Sequence, residues 1–115
     1  FIFKRLSEAF TVQQQQAELI KKHFEDCKFS KIICGDLNNS AFSYVYRTIK
    51  GDMKDAFEQA GTGFGKSYNY KYYPARIDYV FVEENIEVKE FKSIETFQQS
   101  DHFPQITRLK IEEKE

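Results

Sequence analysis

The sequence contains no tryptophan, one methionine and two cysteines, and no apolar run approaches the roughly 18–20 residues that a membrane-spanning helix needs. Its opening, Phe1-Ile2-Phe3 followed at once by Lys4-Arg5, lacks the layout of a secretory signal. Neither sign of charge is in excess: 17 basic and 18 acidic side chains leave a net charge of −1. A face that grips nucleic acid broadly needs a clear basic surplus, so none is expected, although a phosphate held by one metal and one or two cations is compatible. Cys27 and Cys34 stand outside any Cys-x-x-Cys spacing and read as buried thiols, not as a disulfide or a metal pair. There is no repeat and no second linker. The chain does not start with Met, which predicts a processed or excised piece.

What is present points to a folded domain. Of 115 residues 41% are hydrophobic and 30% charged, enough for one domain with a modest core. Aromatics are heavy at 17%, with 12 Phe and 7 Tyr. Phe1–Phe10 has no clear pattern and fits a short strand running into a loop. Thr11 and Gln14 have the spacing of a capping box. Behind them Ala17, Ile20, Phe24 and Cys27 form one stripe of a helix of about 15 residues, with His23 beside the stripe as a boundary or core residue. Ala41–Ile49 reads as a short helix starting at Ser40 or Ser43, and Asp52–Ala60 as a second, stopped by Gly61. Gly61–Gly65 (G-T-G-F-G) is a flexible linking loop and not a phosphate cradle, because a helix precedes it and strand-like Tyr68-Asn69-Tyr70 follows. Arg76–Val82, Ile86–Phe91 and Gln105–Ile111 read as strands, with Glu83–Asn85 joining the first two as a hairpin, and Glu112–Glu115 as solvated charge. The order predicts an α+β fold, a sheet covered by helices on one face.

The chain is organised around Lys31–Asn39, K-I-I-C-G-D-L-N-N. An apolar run that ends in glycine reads as a buried strand forced into a tight turn, with Asp36 and Asn38 where it leaves the core. Two later stretches, R-I-D-Y-V-F at Arg76–Phe81 and S-D-H-F-P at Ser100–Pro104, also set acidic residues beside apolar strand residues. Together they supply Asp36, Asn38, Asp78, Asp101 and His102. Carboxylates and amides are hard oxygen donors, suited to Mg²⁺ or Mn²⁺ more than to zinc. A histidine beside them adds a base that titrates near neutrality. A hard divalent ion with a base is the equipment of phosphoester hydrolysis.

The three motifs G-D-L-N at Gly35–Asn38, R-I-D-Y-V-F and S-D-H-F-P, in this order, resemble the C-terminal motifs of the endonuclease/exonuclease/phosphatase family, the DNase I-like hydrolases. The resemblance implies a Mg²⁺- or Mn²⁺-dependent phosphodiesterase or phosphatase, and the C-terminal half of a four-layer α/β/β/α sandwich with mainly antiparallel sheet. It implies that His102 is the general base or an electrophile at the phosphate and that Asp78 holds its imidazole. Asp101 would bind the metal, Asp36 would orient or deprotonate water, and Asn38 would donate to the phosphate. Arg76 is expected as structural support, with phosphate contact its lesser role, and Ser100 as a loop-shaping residue.

Members of the family are considerably longer and open with an asparagine and a metal-binding glutamate that have no counterpart here. The partner first implied is therefore an absent N-terminal half. Without it, a sheet face with some of Ile33, Ile77, Tyr79, Phe81, Val88 and Phe91 would lie uncovered, and the fragment would self-associate through it. Alone it would hold Mg²⁺ poorly and be inactive or nearly so. The alternative is a non-catalytic binding module that retains the fold. The phosphoester substrate, whether nucleic acid, sugar phosphate or lipid headgroup, is not legible. Lys66–Ala75, with two lysines and four tyrosines, is the loop that would touch it or would pack on the rim.

Overall fold

The computed structural model describes residues 2–112, with the side chains of Ile2, Phe3 and Leu6 left aside. The expectations for Phe1 and for the last three residues of the tail lie outside that range. The element order is α1 (Ile2–Glu25), β1 (Ile32–Asp36), α2 (Tyr44–Lys50), β2 (Lys54–Asp55), α3 (Ala56–Ala60), β3 (Asp78–Val82), β4 (Ile86–Ser93) and β5 (Gln105–Ile111).

The first helix is longer than the capping-box reading allows. Residues 4–10 are helical, and the Thr11 hydroxyl donates back to the Ser7 carbonyl at 2.9 Å instead of capping a new start. The segment K-R-L-S-E-A-F runs into Q-Q-Q-Q-A-E-L without glycine or proline, so propagation continues through Thr11. Ala17 is buried, Phe24 half-buried and His23 exposed. Cys27 lies past the helix end and is exposed, as is Cys34, so neither thiol is buried as expected. Ser43 caps α2, its hydroxyl accepting from the Tyr46 amide, and this side of the helix buries Tyr46 and Ile49.

The Asp52–Ala60 helix is shorter than expected. Lys54 and Asp55 pair with β3 as a strand, and Asp55 then caps α3 by accepting from the Phe57 amide. Gly61 ends α3 as expected, but at a φ of −81°, not in the left-handed region. A Cβ there would lie 2.2 Å from the Phe57 ring, so close approach and not backbone freedom selects glycine.

All described strand pairings are antiparallel and fall in two sheets, β1-β3-β2 and β4-β5. The expected hairpin between β3 and β4 does not form: the chain turns at Glu83–Asn85, but β4 pairs with β5. Strand alternation sends β3 two ways. Tyr79 and Phe81 pack with Ala17, Tyr46, Ile49 and Ile33 under the helices. Val80 and Val82 pack with Ala56, Ile86 and Phe91 toward α3 and the β4-β5 pair. Ile86 satisfies its apolar side chain in this second cluster, which draws β4 out of the first sheet.

β1 is not the buried strand its apolar run suggests; only Ile33 is even half-buried. It sits at an edge, paired with β3 alone among the described residues. The uncovered face also differs from expectation. Ile33, Tyr79 and Phe81 face the helices, and Phe91 lies in the second cluster. On the opposite side, β3 stays covered through Val80 and Val82, but β1 is open: Ile32 is 43% exposed, and Cys34 lines a groove with Val80 and Ile106. A one-residue shift of register exchanges the two faces of a strand, and the sequence pattern I-I-C does not distinguish them.

Candidate active site

The site begins with register. β1 and β3 pair so that Asp36 stands opposite Asp78, with Cys34 opposite Val80 and Ile32 opposite Val82. Directly opposed residues share a sheet face, and two like charges there repel. His102 resolves this. It comes from the loop ahead of β5, and its Nδ1 lies 2.8 Å from Asp78 Oδ2 while its Nε2 lies 3.7 Å from Asp36 Oδ2. The hydrogen bond to Asp78 favours the protonated imidazole and raises the His102 pKa above its ordinary value. Desolvation opposes this, and the charges of Asp78, Asp36 and Asp101 add to the rise.

Each member is anchored by backbone. The Asp36 carboxylate accepts from the Asn38 amide at 2.8 Å, a turn that closes the strand end. Asn38 adopts a φ of +52°, a conformation asparagine tolerates. It therefore sits on the turn beside Asp36, not on the strand face that simple alternation assigns it. The Leu37 amide donates to the Ile77 carbonyl, tying this turn to the start of β3. Ser100 Oγ accepts from the His102 amide at 3.1 Å and shapes that loop.

Asp101 stands apart from the cluster. Its side chain is exposed, and its carbonyl accepts from the Asn69 amide at 2.7 Å. Arg76 also stands apart. Nη1 donates to Asp55 at 2.8 Å, and the guanidinium lies 4.6 Å and 4.8 Å from the Phe57 and Tyr79 ring centres. Asp55 is buried and also accepts from the Tyr46 hydroxyl at 2.7 Å; burial first, and then this bond, pushes the Tyr46 pKa up. Arg76 is thus committed to the interior by an ion pair and two rings, a supporting arrangement that leaves phosphate contact without a geometric basis.

Two residues without a sequence signal complete the scaffold. Ser67, fully buried, accepts from the amides of both Ile77 and Asp78, at 2.9 and 3.0 Å, and its carbonyl accepts from the Phe103 amide at 2.8 Å. It joins the Asp78 strand to the His102 loop. Tyr68 forms a β-bridge with His102, and their rings meet edge to face at 5.1 Å. The only hint was their place between a glycine loop and a run of tyrosines, which carries no periodicity.

As a cation site the cluster fits in part. Donor atoms of Asp36, Asp78 and His102 lie within 4.8 Å of one another, and two carboxylates are hard ligands. Yet the His102 Nδ1 atom and the Asp78 carboxylate are engaged with each other, the arrangement of an oriented acid-base pair.

The profile of the Endonuclease/Exonuclease/phosphatase family matches residues 9–102. No curated protein sequence is significantly similar to the chain. Among solved structures, a mannosyl-6-phosphatase from Bacteroides thetaiotaomicron VPI-5482 superposes with a TM-score of 0.70 at 20% identity, over 88% of this chain and 46% of that one. A protein described as the endonuclease/exonuclease/phosphatase from Bacteroides vulgatus superposes at 0.71 with 27% identity, over 87% and 44%. A family protein from Bacteroides thetaiotaomicron gives 0.69 at 20%, over 87% and 44%. The chain thus spans less than half the length of these structures.

Proposed function

The chain belongs to the endonuclease/exonuclease/phosphatase family, and on that premise we propose that it carries the general-base half of a metal-dependent phosphoester hydrolase. The observation that carries this reading is His102, bonded to Asp78 through Nδ1 and turned toward Asp36 through Nε2. Asp78 holds the ring and stabilises its charge. The 3.7 Å between Nε2 and Asp36 Oδ2 is too long for a direct hydrogen bond. Both atoms can address one water or phosphate oxygen between them. Asp36 orients or deprotonates the attacking water, and His102 shares the proton or faces the phosphate as a cation. Asn38, on the same turn, donates to the phosphate as charge builds.

Asp101, an exposed carboxylate next to His102, is the ligand this chain would offer to Mg²⁺ or Mn²⁺. When bound, such an ion offsets charge on the phosphate oxygens. One carboxylate holds Mg²⁺ weakly, so the isolated chain is inactive or nearly so, and the remainder of the domain supplies the other ligands.

The test is hydrolysis of bis-p-nitrophenyl phosphate and p-nitrophenyl phosphate by the full-length protein, with Mg²⁺, Mn²⁺ or EDTA. A structural relative named as a mannosyl-6-phosphatase makes the monoester as pertinent as the diester. Metal-dependent turnover that His102→Ala lowers by about a hundredfold or more supports the reading. Folded protein that turns over neither ester with any metal replaces it with the non-catalytic binding module.

A further inference from the structure

The loop from Tyr68 to Ala75 is built onto the His102 site and is not a passive rim. Its base is closed where the Ser67 and Tyr68 amides both donate to the Ala75 carbonyl, at 2.9 and 3.2 Å. Its leading edge is fixed by the Tyr68–His102 bridge and by the Asn69 amide on the Asp101 carbonyl. The Tyr70 amide folds back onto the Tyr68 carbonyl at 3.0 Å, so Tyr70 departs directly from the residue whose ring touches His102.

Beyond that point lies an ordered group of rings. Tyr70 meets Tyr72 at 5.3 Å and Tyr73 at 4.7 Å, both edge to face, and Lys71 Nζ lies 5.0 Å from the Tyr72 ring centre. Edge-to-face contacts fix the three rings relative to one another, and Lys71 covers only one side of Tyr72. Tyr72 is 72% exposed and Tyr73 61%, whereas Tyr46 and Tyr79 of the core are at 5% and 3%. Large aromatic faces kept in water beside a polar catalytic cluster are surfaces for a flat partner.

We propose that Tyr70, Tyr72 and Tyr73 form a stacking subsite for the ring of a small phosphoester, a sugar or a nucleoside, whose phosphate lies at His102. The inference rests on the hydrolase reading of that site. Aromatic faces stack on rings of either kind without reading base edges. A long polynucleotide is disfavoured, because it needs a basic track and the two lysines of the segment, Lys66 and Lys71, each lie over an aromatic ring. The chain as a whole carries a net charge of −1. An acyclic phosphoester such as glycerol phosphate has no ring to offer the subsite.

The test compares the full-length protein with its Tyr72→Ala/Tyr73→Ala variant on glucose 6-phosphate, AMP and glycerol 3-phosphate. The expected result is that the kcat/KM ratio of a cyclic ester to glycerol 3-phosphate falls about fivefold or more in the variant. The cyclic ester with the larger fall identifies the ring, sugar or nucleoside. Saturation-transfer NMR, which does not require turnover, should show ring protons of that ester contacting the wild-type protein and losing the contact in the variant. Wild-type protein that hydrolyses none of the three, nor bis-p-nitrophenyl phosphate, but shows this ring contact removes the hydrolase reading and sustains the subsite. An unchanged ratio, or ring contact equal in both proteins, overturns the subsite.

Discussion

The Ser67 hydroxyl lies 3.0 Å from the backbone nitrogen of Asp78, so one buried side chain sets where the carboxylate that holds His102 leaves the sheet. The same oxygen accepts from Ile77, and Ser67 also anchors Phe103, next to His102. Ser67→Ala removes the acceptor of two amides at a fully buried position. The expected cost is about 1–3 kcal/mol of stability, read as a lowered denaturant midpoint. In an active full-length protein, kcat should fall as well, because the Asp78–His102 distance is no longer fixed from behind. Unchanged stability and kcat would show that the sheet alone positions Asp78.

A second prediction concerns protons. The His102 pKa is raised above its ordinary value of 6.5, first by the hydrogen bond to Asp78 and then by the charges of Asp78, Asp36 and Asp101. A raised folded-state pKa means that the folded protein binds the proton more tightly than the unfolded chain. The stabilisation is therefore complete below the unfolded value and is lost as pH rises through the folded one. Asp78→Asn removes the leading cause, so the His102 pKa should fall and the dependence of stability on pH in that window should flatten. NMR titration of the imidazole protons of His102 in both proteins measures the shift. A pKa that stays in place would assign the rise to Asp36 and Asp101 instead.

Third, Arg76 and Asp55 form an ion pair in which the carboxylate side is 1% exposed. Removing one partner leaves the other charged in the interior, a loss of about 3 kcal/mol or more. Arg76→Met should therefore destabilise strongly in chemical unfolding, although Tyr46 still bonds the carboxylate. The double change Arg76→Met/Asp55→Asn, which keeps a capping side chain at the start of α3, should recover part of that loss. If the double variant is no better than the single one, the ring packing of Arg76 and not its charge supports the fold.

The polar groups beside the strands are legible from the sequence, because a strand that stops at Gly-Asp, or a loop with Asp-His just ahead of one, sets those groups at the edge of the sheet. Of the two starts the sequence offers for α2, Ser40 and Ser43, the structure uses Ser43, and β5 keeps its expected bounds. What joins the site was not. Asp36 and Asp78 meet only because β1 pairs with β3 in one register, and a register is a property of two strands at once. Ser67 makes its bonds over ten and eleven residues, and nothing around it in sequence marks it. The capping pattern at Thr11 does not start α1, because no glycine or proline interrupts the residues before it and the helix continues through. After β3 the expected turn is present, but no hairpin follows, because the pairing of β4 depends on where Ile86 finds its cluster.

The uncovered face leads to a final prediction about the isolated 115-residue chain. β1 offers a backbone edge with no partner among the described residues, and beside it Ile32 and Ile106 are 43% and 54% exposed. An open edge and an apolar patch act together, since a second strand that pairs with the edge also covers the isoleucines. The isolated chain should therefore associate as its concentration rises through the micromolar range, with reductant present to keep the exposed Cys34 from crosslinking copies. Ile32→Lys should shift the equilibrium toward monomer, because it places charge in the patch next to the edge, while Lys28→Ala, outside β1, should not. Light scattering decides the matter. A monomer at every concentration would show that the patch is too small to hold two copies, and that the edge of β1 is protected by its own exposure and twist.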